Sequence, residues 1–250
     1  MHRFYADAAS VTPGAEVALS PEESRHLTQV LLLKAGDPAQ LICGGQRWQA
    51  EVAFAEADRA VLRAGTLLPA TEPALRVTLF QGLPKGDKME LIIQKAVELG
   101  VSGIVPVAMQ RSVVRLSAAD GEKKRERWQR IAREACKQSG RSEEPSVALP
   151  CPLSRLAGML ADHDAVLVPW EEADNLSLTG FHAQHPQVRS IALIIGPEGG
   201  IDPAEIALLR ESGALPVTLG PRILRTETAG LAALSVLMAL YGEMEAMPRG

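Results

Sequence analysis

Three short segments in the C-terminal half of the chain carry residue types that could do chemistry: VPWEE at 168–172, IGPEGGI at 195–201 and LGPRILRTETA at 219–229. Each begins where a run of apolar residues stops. Gly196, Gly199, Gly200 and Gly220 remove side chains there, which opens main-chain N–H and C=O groups to a flat ligand. Pro197 and Pro221 stiffen the same turns and reduce the entropy lost when a ligand orders them. Glu198 and Glu227 could accept a proton, and Arg225 could stabilise a developing anion. Structural alternatives stand beside these roles. Glu198 could accept N–H groups at a helix start, Glu227 suits the first turn of a helix, and Arg225 could be a paired surface arginine.

Spacing excludes several other chemistries. No two glycines are separated by a single residue, so a GxGxxG dinucleotide loop is absent. GLPKGDK at 82–88 superficially resembles a phosphate loop, but Gly82 and Gly86 are wrongly spaced and Asp87 stands where the lysine belongs. There is no GxSxG nucleophile elbow. His182 and His185 read as loop residues, and the three cysteines (Cys43, Cys136, Cys151) form neither a CxxC pair nor a disulfide framework. No metal is expected.

The elements that must position the three segments alternate in the pattern of an α/β domain. LRVTLFQG, GIVPVAM, DAVLVPW, SIALIIG and LPVTLG are short, nearly continuous apolar strands. DKMELIIQKAVELG, EKKRERWQRIAREACKQSG, DPAEIALLRESG and TETAGLAALSVLMALYG are helical between them. Asp87 with Glu90, and Asp202 with Glu205, have capping-box spacing. Buried strands alternating with helices imply a parallel sheet covered on both faces, with the three segments on one edge at the strands' carboxyl ends. Residues 1–70 read differently, as candidate strands near 2–6, 15–19, 39–43, 48–54 and 60–67 plus one helix at SPEESRHLTQVLLL, where Ser20 is the cap. LLPATEPAL, with Pro69 and Pro73, is the linker. The expected domains are therefore 1–70 and 74–250.

The chain has 250 residues and a net charge of −4, with 46% hydrophobic residues, enough for a real core. It has no apolar stretch long enough to span a membrane and no signal-like start, so a reduced, cytoplasmic location is expected. Basic charge is concentrated. Residues 111–141 hold ten lysines and arginines against four acids, a net of +6, whereas 142–250 carry six against fourteen, a net of −8. Such a patch can follow phosphates in an acidic protein, or it can be a solvated helix with ion pairs.

HRFYAD at 2–7, KGDKMELIIQKAVELGV at 85–101, RWQRIAREACKQSGR at 127–141, LIIGPEGGI at 193–201 and LGPRILRTETA at 219–229 together resemble the RsmE family of 16S ribosomal RNA uridine-N3 methyltransferases, of the SPOUT class. The resemblance runs in one order from residue 2 to about 242, and the last two motifs in combination are highly specific. One departure is Ile201, where the family often has phenylalanine. The resemblance implies a small PUA-like β-barrel over 1–70 that binds RNA. It implies a SPOUT methyltransferase domain over 74–250 with a C-terminal trefoil knot, and a homodimer. It implies S-adenosyl-L-methionine as cofactor. By motif match Gly196, Pro197, Glu198, Gly199 and Gly200 line one side of its site, Leu219, Gly220, Ile223 and Leu224 another, and Pro169 with Trp170 a third.

On that basis uridine N3 attacks the sulfonium methyl in line, with Glu198 or Glu227 as base and Arg225 beside a uracil carbonyl. The expected partner is 16S rRNA or the small ribosomal subunit, met by Arg3 and Arg25 in the first domain and by Lys85, Lys88, Arg111 and Arg115 in the second. The alternatives are a noncatalytic RNA-binding module, and a SPOUT methyltransferase acting on tRNA or ribose 2′-OH.

Overall fold

The computed structural model describes residues 1–8 and 10–245; residues 246–250 of the expected second domain lie outside the described residues. The chain divides into two compact units: Met1–Glu72 with Cys136–Glu144, and Pro73–Ala135 with Pro145–Gly250.

The first unit contains β1 (His2–Tyr5), β2 (Glu16–Ala18), α1 (Pro21–Arg25), β3 (Pro38–Cys43), β4 (Gln46–Glu56) and β5 (Arg59–Leu67). The strands form one sheet in the order β1-β3-β4-β5-β2, with β1 parallel to β3 and the remaining pairs antiparallel. Alternate residues of β3, β4 and β5 turn inward around Phe4, Leu27, Leu41, Trp48, Val52 and Leu62. Ser20 caps α1 by accepting from the Glu23 N–H at 3.2 Å. The helix expected through residue 33 is shorter. The Leu31 N–H reaches back five residues to the His26 carbonyl, and the regular turns have already given way at His26. Thr28 helps to loosen the ladder, because its hydroxyl bonds the Ser24 and Ala57 carbonyls. Cys136–Glu144 is tied into this unit by Glu72, whose carboxylate accepts from Arg141 Nη2 at 2.6 Å and from the Ser142 N–H at 2.7 Å. Tyr5 donates its hydroxyl to the Arg141 carbonyl at 3.0 Å.

The second unit alternates strand and helix: β6 (Arg76–Gly82), α2 (Lys88–Glu98), β7 (Gly103–Ala108), α3 (Ala118–Ser139, of which the residues from Cys136 on belong to the first unit), β8 (Ser146–Val147), β9 (Cys151–Pro152), α4 (Leu156–Leu160), β10 (Ala165–Pro169), α5 (Leu178–Gln184), β11 (Ser190–Ile195), α6 (Pro203–Glu211), β12 (Leu215–Val217) and α7 (Thr226–Leu240). All strands pair in parallel in the order β12-β10-β11-β6-β7-β8, and β9 also pairs with β7. β8 and β9 are two residues each and carry no periodicity that would have announced them.

Both faces of this sheet are buried. Phe80, Val105, Val107, Val166, Val168 and Ile194 pack on α4 and α6 through Leu156, Leu160, Ile206 and Leu209. The intervening residues Leu79, Leu167, Leu193 and Ile195 are also buried, and α7 packs on β6, β11 and α2. Asp202 caps α6 with the complete capping box expected. The box expected at α2 does not form. The Asp87 side chain makes no cap bond, and Glu90 is drawn instead to Arg127, 2.8 Å away.

Candidate functional site

Because β10, β11 and β12 are adjacent and parallel, their carboxyl ends open on one edge. A cavity of about 720 Å³ lies at that edge. The β10 end contributes Pro169, Trp170, Glu171 and Asp174, and the β11 end contributes Gly196, Pro197, Glu198 and Gly200. The segment after β12 supplies Leu219, Gly220, Ile223, Leu224 and Arg225, and Lys88 enters from the first turn of α2. Gly199 and Glu227 fall outside the lining, although Glu227 adjoins it through Lys88.

The glycines owe their identity largely to the protein's own packing. A Cβ on Gly196 would lie 2.7 Å from Ile201 Cγ1, because the turn closes on itself. A Cβ on Gly199 would meet Arg111 Cβ at 3.0 Å and the Arg111 carbonyl at 3.1 Å, on the side of the turn next to Arg111. Gly200 closes the Pro197–Gly200 turn with φ +73°, a left-handed conformation that favours glycine. Close packing within the protein is thus by itself enough to require glycine at Gly196 and Gly199. Main chain of the turn still lines the cavity at Gly196 and Gly200.

Sequence reasoning missed what holds the turn in place. Gln81, fully buried at the end of β6, donates Nε2 to Thr226 Oγ1 at 2.8 Å, and Thr226 donates in turn to the Gly196 carbonyl at 2.6 Å. Because Gln81 Nε2 also donates to the Gly82 carbonyl at 3.1 Å, the direction of this chain is fixed. Gly82 fits closely against the backbone of this turn. A Cβ there would be 2.6 Å from Pro197 N. The available signal was a glutamine and a glycine ending the apolar strand LRVTLFQG.

The carboxylates converge on one cation. Lys88 Nζ is 3.0 Å from Glu198 Oε1 and 3.2 Å from Glu227 Oε2. Glu198 also accepts from the Lys85 N–H at 3.1 Å. Burial pushes the Glu198 carboxyl up, but Lys88, its own amide and the Lys85 amide outweigh this and hold it below the usual carboxylate range. Glu227 is held low by its own amide first; burial opposes this, and Lys88 and then Arg225 add to the lowering. The two glutamates raise the Lys88 ammonium in return. Arg225 precedes α7, exposed, and its carbonyl accepts the first helical N–H groups.

Several basic residues read as RNA contacts are bound within the protein. Arg111 pairs with Asp202 at 3.2 Å and donates to the Gly199 carbonyl at 3.3 Å. Arg115 donates to the Met109 and Gln110 carbonyls, both at 3.1 Å. Lys85 has an exposed side chain, as do Arg3 and Arg25 in the first unit. Arg3 lies against Gly140, where a Cβ would be 2.5 Å from its Nη1, and Arg25 donates Nε to the Pro21 carbonyl at 3.1 Å.

The family model for the RNA methyltransferase domain matches residues 71–238, which contain the whole cavity. The ribosomal RNA small subunit methyltransferase E of Bacillus subtilis is 36% identical over 247 residues, covering 95% of this chain and 96% of that one. The chain belongs to the ribosomal RNA small subunit methyltransferase E family. Another family member, from Mycobacterium tuberculosis, is 35% identical over 250 residues, covering 97% of this chain and 93% of the relative. A crystal structure of the family's enzyme from Neisseria gonorrhoeae, bound to S-adenosyl methionine, matches with a TM-score of 0.83 and 34% identity over 98% of this chain and 100% of that one. Among the described residues no helix is long and apolar enough to cross a membrane.

Proposed function

We propose that the chain is an S-adenosyl-L-methionine-dependent methyltransferase that acts on N3 of a uridine in the 16S RNA of the small ribosomal subunit. The observation that carries this is the cavity of about 720 Å³ where three adjacent parallel strands end, in a chain of this family. Its volume suits a cofactor-sized ligand. Its lining fits the group. Pro169, Trp170, Leu219 and Leu224 offer apolar walls for an adenine, while Glu171, Asp174 and Glu198 offer carboxylates to a sulfonium and an ammonium. Gly196, Pro197, Gly200, Gly220 and Ile223 complete the proposed cofactor site, and Gly199 supports it from outside by admitting Arg111.

When bound, S-adenosyl-L-methionine supplies a methyl already activated by the positive charge on sulfur. The protein's share is alignment, which can be worth roughly 7–11 kcal/mol, and management of one proton. Uridine N3 is an imide nitrogen and becomes nucleophilic once its proton has left. Glu198 and Glu227 are the proposed acceptors, ionised and fixed beside the cavity. Arg225 is the proposed cation for the uracil oxygen that gains charge. The proposed RNA contacts are Lys85, Arg3 and Arg25, joined by Arg111 and Arg115 when they exchange internal partners for phosphates.

Two finer features of architecture belong to the same reading. Residues 1–70 act as a PUA-like barrel that binds RNA beside a methyltransferase domain spanning 74–250. The segment after β12 passes beside the 176–177 loop, the Thr218 N–H bonding the Leu176 carbonyl at 2.8 Å. Then α7 returns to β6, β11 and α2. That path supports a trefoil knot. The enzyme works in the cytoplasm as a homodimer through α7, where the apolar Val236 is 40% exposed. Sedimentation should give twice the monomer mass.

The test is methyl transfer from labelled cofactor to small subunits lacking the modification and to unmodified tRNA in the same reaction, followed by separation of the RNAs and digestion to nucleosides. Label in 3-methyluridine is expected. Label confined to a 2′-O-methyl nucleoside or to tRNA would overturn the assignment.

A further inference from the structure

Lys88 invites a role different from the phosphate contact its charge suggests. Its ammonium is shared between two carboxylates on separate segments, Glu198 in the turn after β11 at 3.0 Å and Glu227 in the first turn of α7 at 3.2 Å. The lysine side chain is 31% exposed and the glutamates 27% and 18%, so water screens the cluster only partly. The turn bearing Glu198 is further pinned by the Lys85 N–H. The other charged groups nearby are Arg225, which acts on Glu227 from the start of α7, and Arg222, Glu171 and Asp174 in the cavity lining.

We infer that Lys88 is a positioning residue for methyl transfer, one that links Glu198 to Glu227 at the start of α7 and holds both carboxylates in place, Glu198 in the cavity wall and Glu227 beside it. The inference rests on the methyltransferase reading. Without the ammonium the two carboxylates lose their shared counter-charge, and such groups regain a proton more readily. The Glu198 carboxylate would also lose its link to Glu227, leaving the Lys85 N–H as its hold from the α2 side, while the turn itself stays joined to α7 through Thr226 and the Gly196 carbonyl. Lys88 is thus too engaged to be a free phosphate contact, and the charge it presents to RNA is largely neutralised.

The test is the pH dependence of kcat/KM for methyl transfer by the wild type, Lys88→Met and Lys88→Arg. In Lys88→Met the acid limb should move up by about one pH unit or more, with activity partly recovered at alkaline pH; Lys88→Arg should keep the wild-type limb. A uniform loss at every pH with an unmoved limb would mark a merely structural lysine and overturn the inference. So would a phosphate-type effect, in which only the salt dependence of RNA binding changes. An inactive wild type would remove the methyltransferase reading itself, an outcome separate from either. Should Lys88→Met fail to fold, carboxyl NMR titration of the wild type decides. A Glu198 signal titrating below ordinary glutamates supports the inference, since Lys88 is the largest influence lowering it, and ordinary titration of Glu198 overturns it.

Discussion

At the scale of single residues, the cavity edge is governed by close approach. Gly82 has no room for a methyl beside Pro197. Gly82→Ala should therefore displace the 196–200 turn and destabilise the protein by about 1–3 kcal/mol, read as a lower urea midpoint together with weaker cofactor binding. Thr226 passes the hydrogen bond from Gln81 to the Gly196 carbonyl. Thr226→Val should cost about 1–3 kcal/mol by leaving buried polar groups unpaired, while Thr226→Ser should stay near wild type; equal stability of the two variants would remove the relay from the account. The sequence made these turns legible as special, because glycine and proline cluster there. It could not say what presses on each glycine, since the neighbours come from distant segments, Arg111 against Gly199 and Pro197 against Gly82. Gln81 was hidden for the same reason. One polar residue in an apolar strand has no visible partner until Thr226, 145 positions later, is folded beside it.

At the scale of elements, two identical sequence signals had different fates. Asp202 and Glu205 form their capping box, and Asp202 also pairs with Arg111. Asp202→Ala should lower stability by about 0.5–2 kcal/mol. Asp87→Ala should change it by no more than about 0.5 kcal/mol, because Asp87 caps nothing through its side chain. Equilibrium denaturation of both variants checks the contrast. Local spacing describes what a helix start could do, but Arg127 on α3 decided what Glu90 did. Strands were more legible than caps, since burial on both faces leaves a nearly continuous apolar signature that tertiary context does not erase. The short β8 and β9 lacked enough residues to show any period. For α7 the apolar sequence left core and interface equally open, and the helix buries Leu234, Leu237 and Met238 while leaving Val236 partly exposed.

At the scale of the whole molecule, charge and topology set behaviour that no element shows alone. The basic stretch 111–141 looks like a free patch in composition, yet Arg111, Arg115, Arg127, Lys137 and Arg141 are engaged with carboxylates or carbonyls. Sequence gives the sign of a patch and not its partners. Acid sensitivity follows from the opposite charges. Asp164 accepts from the Arg189 and Ser190 N–H groups, which hold its carboxyl below the usual range. A carboxyl lower in the folded than in the unfolded chain stabilises above the unfolded value and loses that contribution as pH falls through the folded one. Asp164→Asn should thus be less stable than wild type near neutrality, and the gap in urea midpoint should close below about pH 4. The parallel sheet was readable from strand and helix alternation, whereas a return path such as that of α7 leaves no trace in periodicity. The central claim is that the cavity at the ends of β10, β11 and β12 holds the methyl donor. Calorimetric titration of S-adenosyl-L-methionine into wild type and into Ala229→Trp, which adds bulk at a half-buried cavity-lining position of α7, tests it most directly. Saturable binding by the wild type and at least about tenfold weaker binding by the folded variant is the expected result; equal affinity in both would contradict it.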